Sequence, residues 1–470
     1  MLRRIKNVIL PAILAILIGG GCQTYSDQAR KMDSAWAAGQ LGVAADRFGK
    51  EAETASAGDA VIWRLEAGAA YRAITNYPAS GQHFDVAATK MDAYEEQAKV
   101  KVGHETLALM SNQQNLPYEG RAYDKIMLHT YAALNYLAVG EVDKARPEII
   151  RAYQCQQDAV DANKRNIEKA QQSEKESKDH QTIERSRSNP RFASALGDVT
   201  NNTEGFQFYA DYVNPFTVYL DGLYFMHAGV DASDLERARK SLKRVQEATP
   251  GNKFVMADLR QVEARIATAS GKPAEPCTYV IFETGCAASR EQKRIDVPIV
   301  FAKLSYVGMA FPKLVYHKDF ARALTVQAGN VTERTELVAN MDAIIALDFQ
   351  NEWPTILSKT LVSAVAKAAA NYLINQSAER RSPWLGLLSR VSTSVTEIAM
   401  NIADTRSWTT LPKEFQVARI VTPADRKLLL SVDAAVPPVE VTLVPGTVNV
   451  VYVKSIHTNA RLLITQFKLQ

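Results

Sequence analysis

Residues 122–153 read AYDKIMLHTYAALNYLAVGEVDKARPEIIRAY, and they decide how the N-terminal half folds. Tyr123, Met127, Tyr131, Leu134 and Ala138 fall at i, i+4, i+8, i+11 and i+15, an apolar stripe of helical period. Gly140 ends that helix, because glycine takes the left-handed conformation of a helix terminus at no steric cost. Asp143 is an N-cap candidate for a second helix, whose Ala145, Ile149 and Ala152 line one face. Pro147 is placed in its first turn, where a missing N–H does least harm. Small residues at the crossing (Ala133, Ala145, Ala152), with Tyr136 beside them, let the two helices close into a tight hairpin.

The spacing of Ala133, Tyr136, Gly140, Ala145, Ile149 and Ala152 closely resembles a tetratricopeptide repeat, a helix pair that stacks with its copies into a solenoid. Copies are expected on both sides. Gly39, Ala44 and Phe48 repeat the spacing of Gly140, Ala145 and Ile149 after a helix over 26–38. A pair over 60–73 and 84–97 follows, joined by a loop with Pro78 and Gly81, and a polar connector runs over 99–117. Gly222, Phe225 and Gly229 then reproduce Ala133, Tyr136 and Gly140. After an insertion at 231–234, Ala238, Leu242 and Val245 reproduce Ala145, Ile149 and Ala152. A helix over 253–270 would cap the stack, since terminal repeats need a polar outer face. Residues 154–187 are nearly all charged or amide-bearing. They read as a charged helical extension or a disordered arm, either a coiled-coil contact or a solvated insertion. Asn189-Pro190 is read as a breaker in a loop over 186–202.

Gly271-Lys272-Pro273 marks a boundary, beyond which the apolar period changes from 3.6 to 2. Strands are expected at 278–283, 295–301, 306–311, 324–328, 333–339, 415–421, 427–432, 439–444, 448–454 and 462–469. Two apolar helices, 353–375 and 384–402, interrupt them. Lys359 and Lys367 within the first favour a helix buried on a sheet over a membrane span. The fold class is therefore α+β in several domains. An α-solenoid over 22–271, with a charged insertion at about 156–200, precedes a β-rich α+β domain over 272–470.

Residues 1–21 have the plan of a signal peptide: Arg3, Arg4 and Lys6, an apolar run over 8–18, then Gly19-Gly20-Gly21-Cys22. They resemble a bacterial lipoprotein signal with Cys22 as the lipidated residue, although Gly19 stands where such signals carry Leu. The resemblance implies an outer-membrane anchor facing the periplasm, since Gln23 follows the cysteine. Its acyl chains would hold at roughly 0.8 kcal/mol per buried CH₂. Loss of the leader takes three of the 55 basic residues, against 51 acidic ones, so the mature chain has a charge near +1 and no clear basic excess to favour nucleic acid. Of the other cysteines, Cys155 is read as a small apolar residue of the hairpin rather than a reactive thiol. Cys277 and Cys286 flank an apolar run, and a disulfide between them requires a tight reversal near Glu283-Thr284-Gly285.

Catalytic signatures are absent: no Gly-x-x-x-x-Gly-Lys-[Ser/Thr], no His-Glu-x-x-His, no Gly-x-Ser-x-Gly. His83, His104, His129, His180, His227, His317 and His457 lack paired ligand spacing, and His129 and His227 occupy matching places in two repeats. No metal site, cofactor or catalytic residue is expected. Asp404, Arg406 and Trp408 lie in a compact run between a helix and a strand. They form either a recognition loop or a structural corner, in which Asp404 pairs with Arg406 and Trp408 plugs the core.

Tyr131–Arg151, Tyr212-Val213-Asn214-Pro215, Tyr279–Gly285 and Asp404–Pro412 resemble, in this order, an uncharacterised family of Gram-negative outer-membrane lipoproteins with N-terminal tetratricopeptide-like repeats. Some members are encoded near lipoprotein activators of peptidoglycan synthases, which implies a role in cell-envelope assembly. The expected function is a lipid-anchored periplasmic scaffold or adaptor that is not an enzyme. Tyr131, Asn135, Arg151 and Tyr224 are expected to line a concave face that binds an envelope protein or peptide. The competing expectations are an envelope enzyme or glycan-binding module with a pocket near Asp404, Arg406 and Trp408, and a subunit of a larger secretion or surface assembly.

Overall fold

The central hairpin forms as its periodicity predicts. We label helices and strands in chain order. In the computed structural model α5 (Ala122–Ala138) and α6 (Val142–Glu176) pack along each other, and Gly140 between them takes φ +80°. The structure describes residues 25–100, 116–178, 180–201, 206, 208–210, 212–268, 276–297, 307–381, 402–433 and 436–470. The leader with Cys22, the boundary at 271–273 and all but the end of the second apolar helix lie outside them.

The N-terminal half is helical: α1 (Tyr25–Ala37), α2 (Leu41–Thr54), α3 (Ala60–Ala73), α4 (Tyr77–Val100), α5 and α6, then α7 (His180–Arg187), α8 (Pro190–Thr200), α9 (Pro215–His227), α10 (Ala232–Ala248) and α11 (Lys253–Thr268). Consecutive helices pack as neighbours at α3–α4, α5–α6, α9–α10 and α10–α11. Several boundaries differ from expectation for local reasons. Asn189-Pro190 starts a helix instead of breaking one: the Asn189 side chain accepts from the N–H groups of Arg191 and Phe192, and proline suits the first turn. Asn214-Pro215 does the same for α9. Pro78 likewise sits in the first turn of α4, which starts at Tyr77, seven residues before the expected position. The residue before α6 is Glu141 rather than Asp143, and Pro147 falls in its second turn.

The charged stretch after the hairpin is neither disordered nor free in solvent. It continues α6 to Glu176 and packs against α12 (Met341–Arg381), burying Ala159 and Ala170. Asn163 donates to the Asn351 carbonyl at 3.1 Å, and the buried Glu174 accepts from Arg187 at 2.7 Å. The small buried residues are too few to give a visible stripe among so many charges.

The C-terminal part is strand-rich. A five-stranded sheet has the order β11–β10–β1–β7–β6, and a four-stranded sheet the order β5–β4–β8–β9. Their ranges are β1 (Cys277–Thr284), β4 (Leu324–Ala328), β5 (Val331–Arg334), β6 (Glu336–Asn340), β7 (Glu414–Val421), β8 (Lys427–Val432), β9 (Val439–Thr442), β10 (Val448–Ser455) and β11 (Leu463–Lys468). β2 (Ser289–Val297) and β3 (Val307–Val315) form a separate antiparallel ribbon. β1 and β10 are parallel neighbours, and every residue of both is buried, so both faces of the sheet are covered. The strand expected over 333–339 is two. The chain leaves one sheet for the other at Thr335, whose hydroxyl accepts from Leu324 N–H and donates to Gln416. The apolar helix expected at 353 starts at Met341, with Pro354 inside it. It packs on β3 and β7 as a buried helix, and no helix among the described residues is long and apolar enough to cross a membrane.

One hydrophobic cluster runs through both parts, from Tyr25 and Trp63 to Val450 and Phe467. At the α3–α4 contact an added Cβ at Gly68 would lie 2.4 Å from the ring of fully buried Phe84. Replacing Gly68 with Ala should therefore destabilise the protein by about 1–3 kcal/mol through overpacking, despite the better helix propensity of alanine. Urea unfolding of G68A checks this, and an unchanged or raised midpoint contradicts it.

Candidate functional site

The helical half presents a polar row to the five-stranded sheet, and the sheet answers it residue by residue. Strand side chains alternate between faces. Tyr279 and Glu283 on β1, Phe415 and Arg419 on β7, and Tyr452 and Lys454 on β10 all turn toward the helices. Fully buried Glu283 accepts from Tyr131 of α5 at 2.6 Å, from Tyr452 at 2.7 Å and from Lys454 at 2.5 Å. Burial pushes its carboxyl up, but the Lys454 charge and these hydrogen bonds outweigh that and hold it below the usual range. Arg72 of α3 lies over the Tyr131 and Tyr452 rings and donates to Asn135 at 2.9 Å. The space these groups line measures about 30 Å³, enough for a water or two and too small for a substrate.

Further along the same face, Asp258 of α11 accepts from Tyr219, Tyr279 and Arg419 at 2.8–2.9 Å. Burial raises its carboxyl to about 6, with Arg419 and the tyrosines pulling the other way. His227 hydrogen-bonds the Tyr279 hydroxyl at 3.0 Å, and burial with Arg419 and Arg265 nearby lowers it to about 3, so it stays neutral.

The 404–410 loop closes the opposite end. Arg406, 1% exposed, makes a two-pronged pair with Asp404 at 2.8 and 2.9 Å and reaches the carbonyls of Gly58 and Leu116. Trp408 inserts between Phe84 and Tyr131, with ring centroids 5.9 and 5.8 Å away, and its indole N–H donates to Thr410. Beside it Glu66 of α3, with no exposure, accepts the N–H and hydroxyl of Thr409 at 2.6 and 2.7 Å and those of Thr410 at 3.2 and 2.7 Å. Arg406 and Trp408 are thus buried in a structural corner that binds the chain's own helices, and the partly exposed Asp404 is taken up by Arg406.

The expected partner-binding residues separate in the same way. Tyr131, Asn135 and Tyr224 are buried, Tyr224 with its hydroxyl on the Val142 carbonyl, and cannot line an open groove. Arg151 alone is exposed, paired with Glu148 at 2.7 Å. Cys277 and Cys286 are free thiols: β1 runs extended from Cys277 to Thr284, which at roughly 3.3 Å per residue puts its ends some 25 Å apart. Cys155 is half-exposed rather than buried.

Two clusters escaped sequence reasoning. Around α12, Asp348 lies with Arg121, Tyr123, Asp124 and Arg290. The Tyr123 hydroxyl, one Asp124 oxygen and the Nε groups of both arginines have no hydrogen-bond partner among the described residues. Burial first, then the neighbouring Glu352, raises the Asp348 carboxyl to about 7. Within the hairpin, His129 Nδ1 meets Glu148 Oε2 at 2.7 Å, with both side chains largely buried. Burial works against the imidazolium, but Cys155 and Glu148 nearby lift His129 to about 9. Glu148 and Cys155 stand seven apart, which would mark one helix face, but only the hairpin crossing brings His129 to Glu148. No three His, Cys, Asp or Glu side chains among the described residues converge for a metal. No protein-family model, curated protein or solved structure matches the chain.

Two outcomes follow from this geometry. Trp408→Ala should cost about 3–5 kcal/mol, the range for removing a buried indole, with the helix signal and strand packing lost in one transition. A two-step unfolding curve would show that the loop does not join the halves. Folded Asp348 keeps its proton from about pH 4 to 7 while the unfolded chain, with a pKa of 3.8, does not. Its contribution is therefore full below pH 4 and lost as pH rises through 7. D348N removes that slope. Relative to the native protein it should gain on the order of 2–4 kcal/mol between pH 4 and pH 8, read from urea midpoints, and parallel profiles would contradict the assignment.

Proposed function

We propose that the protein is a lipid-anchored periplasmic adaptor, tethered to the outer membrane through Cys22, that binds an envelope protein with its outer surface. On this reading the N-terminal half is a tetratricopeptide-like solenoid whose inner face serves the chain itself. The supporting observation is that Glu66, Tyr131 and Asp258 of that face are each engaged by the strand-rich part. Binding then falls to the exposed side of α6, where Arg151 and the outward charges of the arm lie. The leader residues 1–22 support the tether, and the family resemblance supports the role in envelope assembly. An enzyme acting at Asp404, Arg406 and Trp408 has no support, because Arg406 and Trp408 are buried against the helices and the Asp404 carboxylate is occupied by Arg406.

In-cell crosslinking with pull-down, comparing the native chain with Cys22→Ala, tests this. One envelope protein should be recovered strongly from the native form and at least several-fold less from the variant. Equal recovery from both removes the tether. Recovery of none, with cleavage or binding of peptidoglycan fragments by the purified full chain, removes the adaptor.

A further inference from the structure

The cavity between α3 and the five-stranded sheet is small, but it is lined by more free hydrogen-bond donors than free acceptors. It measures about 30 Å³ and lies among Arg72 of α3, Tyr131 of α5, Glu283 of β1 and Tyr452 and Lys454 of β10. Tyr77 of α4 and Thr465 of β11, both half-exposed, stand at its mouth with their hydroxyls 2.9 Å apart.

The acceptors are already engaged. Tyr131 and Lys454 donate to one Glu283 oxygen and Tyr452 to the other, so the two tyrosine protons are committed as well. The donors are not exhausted. A guanidinium carries five N–H groups and an ammonium three. Arg72 gives one bond, to Asn135 Oδ1 at 2.9 Å, and otherwise lies over the Tyr131 and Tyr452 rings. Lys454 gives two, to Glu283 and to the Thr410 carbonyl. Of Tyr77 and Thr465, one hydroxyl donates to the other, which keeps its own proton.

Charge points the same way. Glu283 neutralises Lys454, its direct ion-pair partner. Arg72 is only 9% exposed, yet it pairs with no carboxylate among the described residues. Glu66, the carboxylate of α3, is not part of the cavity lining and is held by Thr409 and Thr410. The ring faces attract the guanidinium but carry no net charge. A buried ion without a counter-ion is strongly destabilised, and water would fill the cavity without supplying that counter-charge. The guanidinium is also fixed in place: Asn135 donates to the Ser80 hydroxyl, which donates to the Gly68 carbonyl.

We propose that this cavity binds one halide ion, chloride or bromide, between Arg72 and Lys454. Its volume is about twice what a single water needs, so it takes one ion slightly larger than water and no tetrahedral oxyanion. Arg72 supplies the counter-charge, Lys454 and the Tyr77–Thr465 pair supply further donors, and Asn135 positions the guanidinium. The ion joins α3 to β10, so only the folded chain binds it. The inference rests on neither the tether nor the adaptor reading.

The test is urea unfolding of the purified full chain, with sodium chloride replacing sodium gluconate at constant ionic strength. The unfolding constant should fall as chloride rises, about a hundredfold once chloride reaches a hundred times its Kd, and bromide should act likewise. Arg72→Gln should abolish the response. Arg72→Lys, which keeps the charge but loses the planar set of donors, should raise the Kd about tenfold. Native crystals soaked in bromide should show one anomalous peak in the cavity, against Arg72 and Lys454, and this readout stands even where R72Q does not fold. An equal chloride response in R72Q and the native chain, or waters in place of the peak, would overturn the proposal. A peak with no chloride response in solution would mean an adventitious ion only, and would overturn it too.

Discussion

The structure depends on matched burial of charge between helices and sheet, most plainly at Glu66. A carboxylate with no solvent exposure and no partner costs several kcal/mol. Glu66 is tolerable because Thr409 and Thr410 bring two N–H groups and two hydroxyls to its oxygens. Those residues come from a loop more than 340 positions away, which Arg406 and Asp404 hold in shape. The helical half is therefore complete only with the loop in place, and the loop keeps its form only against the helices.

The same logic repeats along the interface with different chemistry. Glu283 is satisfied by a lysine and two tyrosines, and Asp258 by an arginine and two tyrosines. Tyrosine suits this role because its ring adds apolar burial while its hydroxyl supplies the donor. Removing one member leaves a buried group unpaired, which costs more than the net worth of the bond itself. The cluster around Asp348 is the exception. There burial leaves four polar atoms unmet and the carboxyl protonated near neutrality, so the pH sensitivity of the interface concentrates at that point.

Residue patterns disclosed most of the local structure. Strands at 324–328 and 427–432 and the helix over 60–73 carry the boundaries that alternation and periodicity give, because each buries one regular face. The failures have common causes. Proline and asparagine read as breakers at 189–190 because the same residues stop one helix and start the next. The beginning of α12 was hidden because Pro354 resembles a helix start, and β6 was fused with β5 because both alternate across the sheet change at Thr335. For the site, Asp404 and Arg406 were legible as a pair because they are two residues apart. Tyr131, Asn135 and Tyr224 were misplaced: an aromatic and polar helix face looks the same whether a partner protein or the chain's own sheet covers it.

By itself the amino-acid order determined the α+β class, most of the helix pairs of the first half and most of the strands of the second. These depend on periods of 3.6 and 2 and on caps within a few residues of one another. Only the tertiary structure decided which faces are open. Glu283 meets Tyr131 across 152 positions and Thr410 meets Glu66 across 344, and no local pattern encodes such a contact. The cluster of Cys155, His129 and Glu148 falls between these cases. Two members share a helix face by spacing, but the third arrives only because the hairpin closes, and closure depends on small side chains at the crossing.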